Sequence, residues 1–322
     1  MESKIFIINK FIFSYEKNIK VISLILSLLL FSCNDSPVSP EMEESLSESK
    51  SNLFRNSDFI LDENLILNEN QIAEFKIDET IFQNSLNGNE LFKLKYSPNT
   101  SGEFLLNFKG DILISEIRDS KNNLINNESH TGNKVFLNSD EVYSLSISKS
   151  KFSQTGESKL KPGDIIYLNT QRRDGSPIAS IMVSQNSCDE CRITNTTFSQ
   201  NYNNMTFLFS EFINCKFENI QMDGNKFTGT FFQNCDFYYA NITDNNFEKT
   251  NFIASNFSGD TEFKDCNFDN SNFSSNTFSS VGFFSSSFVR ARMRLTSFDA
   301  TLFQNCDMQY VTIYSPCLLY TS

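Results

Sequence analysis

The chain repeats itself with a period of five. From Tyr202 a large apolar residue returns at every fifth position, through Phe207, Phe212, Phe217, Met222, Phe227, Phe232, Phe237, Ile242, Phe247 and Phe252 to Phe257. After one extra residue the series resumes at Phe263 and runs through Phe268, Phe273, Phe278, Phe283, Phe288, Met293, Phe298, Phe303, Met308 and Ile313 to Leu318. With Ile193 and Phe198 upstream there are 26 such centres, 18 of them Phe, in a chain of 322 residues with 34 Phe and no Trp. A helix repeats at about 3.6 residues and a flat strand at about 2.0, so neither holds every centre on one buried side. Only 11 Gly and so many aromatics exclude collagen, a Gly/Ser linker and a wholly disordered chain.

Two residues before most centres the side chain is small, as at Thr196, Ser210, Cys215, Thr230, Cys235, Ala240, Thr250, Ser255, Thr261, Cys266 and Ser286. Asn or Asp often stands just before the centre, as in Cys235-Asp236-Phe237 and Thr250-Asn251-Phe252. This pattern resembles the pentapeptide-repeat family over about residues 188–318. The resemblance implies a right-handed quadrilateral β-helix in which each pentapeptide forms one side and four complete a coil. In such a coil, positions 20 residues apart lie directly above one another, about 4.8 Å apart. Cys215 then stacks on Cys235, Asn225 on Asn245, and Cys266 lies two coils from Cys306 with Ser286 between. The one-residue insertion at Gly259-Asp260 is expected to bulge outward. Solenoids also need caps, because an open coil exposes core and backbone edge.

Residues 57–187 follow a different rule. Gln71–Asp78, Leu91–Tyr96, Glu103–Phe108, Asp111–Ile117, Val142–Ile147, Asp164–Leu168 and Ile178–Val183 are short alternating or apolar runs separated by turn clusters such as Lys161-Pro-Gly-Asp164. They predict seven or eight strands in an all-β sandwich; the stretch Gly102–Ile125 followed by Glu141–Ser148 is faintly similar to the small jelly-roll domains appended to secreted bacterial proteases. The fold class is therefore all-β, a β-sandwich followed by a β-helix.

The amino terminus carries an address. Lys4, Lys10, Lys17 and Lys20 precede an apolar run from Val21 to Phe31, too short to span a bilayer and suited to a secretory signal. It ends in Leu30-Phe31-Ser32-Cys33, which resembles the bacterial lipobox; the resemblance implies a signal peptide over 1–32 and a mature chain beginning at lipidated Cys33. The alternative is an ordinary cleavable signal with a chance Cys. Residues 33–56, rich in Ser, Pro and Glu, read as a disordered tether. Asn34 rather than Asp follows the Cys, which favours an outer membrane.

Candidate chemistry is sparse. Cys188-Asp-Glu-Cys191 reads as core thiols, as a structural disulfide formed after export, or as a functional pair; no βαβ unit or further ligand supports redox or metal work. The single His, His130, sits on an expected hairpin tip. No Gly-x-Ser-x-Gly, His-Glu-x-x-His, phosphate loop or Ca loop occurs, so no catalytic residue, cofactor or metal is expected. Arg290, Arg292 and Arg294 form the basic cluster of the repeat region; they and the outward Tyr238 and Tyr239 are the candidate interaction surface. Phe209, Phe231, Phe284 and Tyr310 are also expected outside.

The net charge of −12 argues against a chain that coats nucleic acid over its whole surface. The expected function is a lipid-anchored, non-enzymatic envelope protein acting as scaffold or as a protein- or glycan-binding surface, its oligomeric state open. Alternatives are an exported enzyme or adhesin whose activity lies in the sandwich or in a further carboxy-terminal segment, and, more remotely, gyrase protection by DNA mimicry as in some family members. Residues 188–318 hold 14 acids and 8 bases with an Arg cluster, a poor match to a uniformly acidic mimic. Finally, the repeat region is bounded at 188–316: residues 317–322, Cys-Leu-Leu-Tyr-Thr-Ser, back-translate to a string resembling a sequencing-library transposon end. They are expected to be adapter, on a chain that continues differently.

Overall fold

The structure, a computed structural model, describes residues 53–55, 66–88, 90–127, 134–150, 159–172, 177–314 and 317–319. The expected signal peptide, Cys33, most of the tether, His130 and the last three residues of the adapter-like segment lie outside these. The chain forms two compact units: Ser51–Thr196 with Asn204–Glu211, and Thr197–Asn203 with Phe212–Ser322.

In the first unit the strands are β1 (Leu53–Arg55), β2 (Ile66–Asn68), β3 (Ile72–Lys76), β4 (Glu90–Ser97), β5 (Gly102–Lys109), β6 (Ile112–Arg118), β7 (Leu124–Asn127), β8 (Lys134–Leu137), β9 (Tyr143–Lys149), β10 (Ile165–Asn169) and β11 (Ala179–Gln185). They build a six-stranded sheet, β1-β3-β10-β11-β5-β8, and a five-stranded sheet, β2-β4-β9-β6-β7. Alternation aims one face of each strand inward: in β4 Phe92, Leu94 and Tyr96 are buried while Lys93 is exposed. Across the sandwich Phe75 meets Phe92 at 4.7 Å and the Tyr96 ring meets Phe104 edge-on at 6.0 Å. Each such core side chain contributes about 1.5–3 kcal/mol by burial.

All seven runs expected to be strands are strands, and all are interior. The four that the sequence pattern does not mark, β1, β2, β7 and β8, are the four sheet edges. Edge strands are short and bond on one side only, so little of their hydrophobic pattern is constrained. The sandwich consequently begins before residue 57: Leu53–Arg55, placed in the tether by composition, pair in parallel with Ile72–Glu74. Parallel pairing also joins β2 to β4 and β11 to β5. An unanticipated helix, α1 (Glu79–Gly88), starts where Asp78 Oδ1 accepts from the Ile81 N–H at 2.7 Å, an N-cap bond. Its Ile81 and Phe82 pack against the core.

The second unit is a parallel solenoid. Three of its four sides are sheets whose centres stack in register: Phe212-Phe232-Phe252-Phe273-Met293-Ile313, Phe198-Phe217-Phe237-Phe257-Phe278-Phe298-Leu318, and Tyr202-Met222-Ile242-Phe263-Phe283-Phe303. The fourth side, through Phe227, Phe247, Phe268 and Phe288, has single bridges such as Lys226↔Asn246 in place of strands. There the backbone turns instead, with Thr230 N–H bonding Phe227 O at 3.0 Å and Thr250 N–H bonding Phe247 O at 3.1 Å. Phe rings in one column lie nearly parallel: Phe252 sits 5.0 Å above Phe232 and 4.9 Å below Phe273, at 7° and 4°. Neighbouring columns meet edge-on or tilted, as for Phe252 and Phe257 at 5.6 Å and 65°. Centres from Phe212 to Met293 are buried, and Phe298, Phe303, Met308 and Ile313 in the last coil are half-buried.

The corners account for much of the Asn. Two residues after nearly every centre the backbone is left-handed, at Asn214, Asn219, Asn234, Asp244, Asp265, Asn270 and Asn305 among others, and at Gly224 and Gly229. Gly, Asn and Asp tolerate that conformation with least strain. The insertion is absorbed at one corner, where Gly259 (φ 67) and Asp260 (φ 58) are both left-handed. The Tyr238 ring lies so close that a Cβ on Gly259 would approach it to 2.6 Å.

In one corner column the residues are Asn214, Asn234, Ala254, Ser275 and Leu295, and Leu295 is 56% exposed at φ 52. Leu295→Asn should therefore stabilise the solenoid, and Asn234→Leu destabilise it, each by about 1 kcal/mol in denaturant titration. Phe252→Ala should cost about 3–5 kcal/mol.

Candidate interaction surface

The interior of the solenoid is chemically occupied by its own backbone. Small hydroxyls two residues before the centres donate to the carbonyl of the centre one coil below: Thr250 Oγ1 to Phe227 O at 2.7 Å, Ser255 Oγ to Phe232 O at 3.2 Å, Thr296 Oγ1 to Phe273 O at 3.0 Å. The thiols do the same, Cys235 Sγ to Phe212 O at 3.3 Å and Cys266 Sγ to Ile242 O at 3.4 Å. Asn225 and Asn245 do stack, but each amide bonds backbone: Asn245 Nδ2 donates to Met222 O at 2.9 Å, and its Oδ1 accepts the Asn225 N–H at 2.8 Å. Asn276 repeats the device on another side.

Burial pushes the Cys266 thiol up to about 12, and burial together with a hydrogen bond to Cys215 raises Cys235 well above its ordinary range. Burial thus favours the neutral thiol in both. Cys188 and Cys191 are joined in a disulfide, both buried in the first unit, with Asn169 Nδ2 donating to Cys191 Sγ at 3.4 Å. Among the described residues no group of three or more His, Cys, Asp or Glu is placed to hold a metal ion.

One polar cluster in the sandwich has no signal in the sequence, because its members lie far apart along the chain. The buried Glu69 accepts from Thr100 N–H and Oγ1 at 3.2 and 2.9 Å and faces Arg172 Nε at 3.5 Å; Arg172 Nη2 also donates to Thr100 Oγ1 at 2.6 Å. The Tyr96 hydroxyl, buried nearby, makes no hydrogen bond among the described residues. Burial and the Glu69 carboxylate push its phenol up, with Arg172 opposing. The bonds tie Glu69 and Arg172 to the loop after β4, so the cluster reads as a fastening of that loop.

What remains is the outer surface of the solenoid. Arg290, Arg292 and Arg294 are exposed, Arg290 at a left-handed corner and the other two on one strand either side of the buried Met293. They form no ion pair among the described residues. Tyr238 and Tyr239 are 43% and 49% exposed, their rings 4.4 Å apart. A hydrogen bond to Tyr239 raises the Tyr238 phenol. Phe209, Phe231 and Tyr310 are exposed, whereas Phe284 is half-buried and lies over Gly282. The Arg cluster and the tyrosine pair lie on different sides and three coils apart, so they form two patches and not one.

Comparison with known proteins bears on the solenoid alone. The family model for pentapeptide repeats (8 copies) matches residues 226–259. No curated protein matches the chain. Among solved structures, the pentapeptide repeat protein Rfr23 from the cyanobacterium Cyanothece is 6% identical, covering 42% of this chain and 92% of its own, with a TM-score of 0.29. A trypsin-treated form of QnrB1, a plasmid-mediated fluoroquinolone resistance protein, is 15% identical over 41% of this chain and 91% of its own, TM-score 0.23. HetL, a pentapeptide repeat protein involved in heterocyst differentiation regulation from the cyanobacterium Nostoc, is 9% identical over 39% and 86%, TM-score 0.13.

The raised thiols give a pH dependence. An unfolded Cys ionises near pH 8.5–9 while folded Cys266 holds its proton to about 12. The unfolded state then binds fewer protons than the folded one across that window, so stability falls as pH rises from about 9 toward 12. Cys266→Ser, which the same column already accommodates at Ser286, should make the melting temperature fall less steeply above pH 9. Asn245→Ala should cost roughly 3 kcal/mol in denaturant titration, because it deletes both the acceptor of the buried Asn225 N–H and the donor to Met222 O.

Proposed function

We propose that this chain is an exported, lipid-anchored, non-enzymatic protein of the cell envelope whose solenoid serves as a scaffold and binding surface. The observation that carries the binding role is the division within the repeat: inward polar groups bond the coil's own carbonyls, as at Thr250, Asn245 and Cys266, while outward side chains such as Tyr239, Arg292 and Arg294 are exposed to solvent. Inside such a coil the inward hydroxyls and amides bond the backbone, whereas an active site needs a convergent acid, base and nucleophile. The solenoid does have flat, evenly spaced faces, the usual working surface of repeat proteins.

The anchoring half of the reading rests on sequence: the lysines before Val21, the short apolar run, and Leu30-Phe31-Ser32-Cys33 ahead of a Ser-, Pro- and Glu-rich stretch. Two or three acyl chains on Cys33 would hold the protein firmly at a membrane, where one chain binds only marginally. With Asn34 after the cysteine, the outer membrane is the favoured site. An export route also fits the disulfide between Cys188 and Cys191, since such bonds persist in oxidising compartments.

Expression of the full chain in a bacterium with labelled palmitate tests this. The wild type should incorporate label and fractionate with the envelope; Cys33→Ala should lose the label and accumulate as a heavier, uncut precursor. Unlabelled wild-type protein in the cytosol would overturn the reading.

A further inference from the structure

The basic residues of the solenoid are unevenly spread. Residues 188–318 carry 14 acids and 8 bases, and three of those bases are Arg290, Arg292 and Arg294. Register places Thr312 directly over Arg292 and Tyr314 over Arg294 in the next coil, while the Arg290 N–H bonds Gln309 O beside the exposed Tyr310. One coil below, the same two columns hold Asn272 and Ser274, and Asn272 Nδ2 reaches Asn251 Oδ1 in the coil beneath at 3.5 Å. Arg292 and Arg294, two residues apart on one face of a strand, project about 7 Å from each other. Over four successive coils this face thus presents amides and hydroxyls, then an arginine pair, then Thr312 and Tyr314.

We propose that this face binds an acidic, carboxylate-bearing polysaccharide, with Arg292 and Arg294 engaging uronate carboxylates. This rests on the reading of the solenoid as a binding surface and names its partner. A planar guanidinium matches a carboxylate with two parallel hydrogen bonds. Asn251, Asn272, Ser274 and Thr312 supply donors and acceptors for ring hydroxyls, and the Tyr314 ring offers an apolar face with a polar tip.

The charge density selects among anionic partners. A nucleic acid carries a phosphate on every nucleotide, so its track needs bases along the whole face; here they stop within one coil and give way to neutral amides. An anionic membrane presents its charge as a plane, which an arginine pair confined to one coil above neutral amides matches poorly. A polysaccharide with carboxylates at intervals among many hydroxyls requires few arginines and many hydrogen bonds, which is the composition of this face.

The mature lipidated chain in non-ionic detergent, titrated with polygalacturonate, tests the assignment. Binding should be measurable, absent for dextran of equal length, and several-fold weaker in 0.5 M salt. Arg292→Gln with Arg294→Gln should weaken it at least tenfold with an unchanged melting temperature, and Tyr314→Ala about threefold. No binding, equal affinity of the double variant, or equal binding of poly(dT) or short-chain phosphatidylglycerol at the same residues would overturn it. If such a failure came from protein that still carried palmitate and fractionated with the envelope, the partner class would fall and the anchored scaffold would stand; cytosolic, unlabelled protein would instead remove the premise.

Discussion

The solenoid depends on one distance, the spacing of hydrogen-bonded parallel strands. Backbone bonds between successive coils fix the rise at about 4.8 Å, and every inward side chain must then tolerate a large neighbour at that separation above and below. Flat aromatic rings do so: Phe198, Phe217, Phe237 and Phe257 stack with centroids 4.6–4.7 Å apart. A branched aliphatic fills the same height less completely, and Trp is too wide for four columns that also touch edge-on. The surplus of Phe follows from the rise of the coil.

The same rise decides the fate of the interior polar groups. A carbonyl at each centre points along the axis, and a short donor two residues before the next centre arrives within reach of it, whether hydroxyl, thiol or amide. A buried donor that meets a carbonyl stabilises the coil modestly, while one that does not costs more than the bond is worth. Cys, Thr, Ser and Asn each meet this requirement, as at Cys235, Thr250, Ser255 and Asn245. At the corners the constraint is conformational, and the drift from Asn, Gly and Asp in the early coils to Ser280, Ser285, Arg290, Leu295 and Ala300 later leaves the carboxy-terminal coils with more backbone strain.

The sandwich was legible to the extent that its strands bury two bonded edges and one face. β3, β4, β5, β6, β9, β10 and β11 show alternation or dense apolar runs because each is fixed by two neighbours and the opposing sheet. β1, β2, β7 and β8 lack it because half their backbone bonds are absent and some of their side chains, such as Ile66, Leu124 and Phe136, are exposed. Helix α1 escaped notice because its opening signal, Asp78 capping the first turn, sits at the end of an alternating run that already reads as a strand. The Glu69, Thr100 and Arg172 cluster had no sequence signal at all, since only the folding of the two sheets brings positions 69, 100 and 172 together.

By itself, the sequence determined which solenoid residues face inward, because a period of five fits neither a helix nor a flat strand; that four pentapeptides close a coil and stack residues 20 apart was implied by the family resemblance and is seen in the register of Phe217 with Phe237. The sequence also marked Arg290, Arg292 and Arg294 as outward. Tertiary structure decided what periodicity cannot encode: that one of the four sides is bridged and not a sheet, that the left-handed residue falls two after nearly every centre, and that Thr312 and Tyr314 stand over Arg292 and Arg294. Periodicity specifies burial, which is a property of one position at a time. Turn geometry and surface neighbours depend on where the backbone hydrogen bonds close, and those form only between coils.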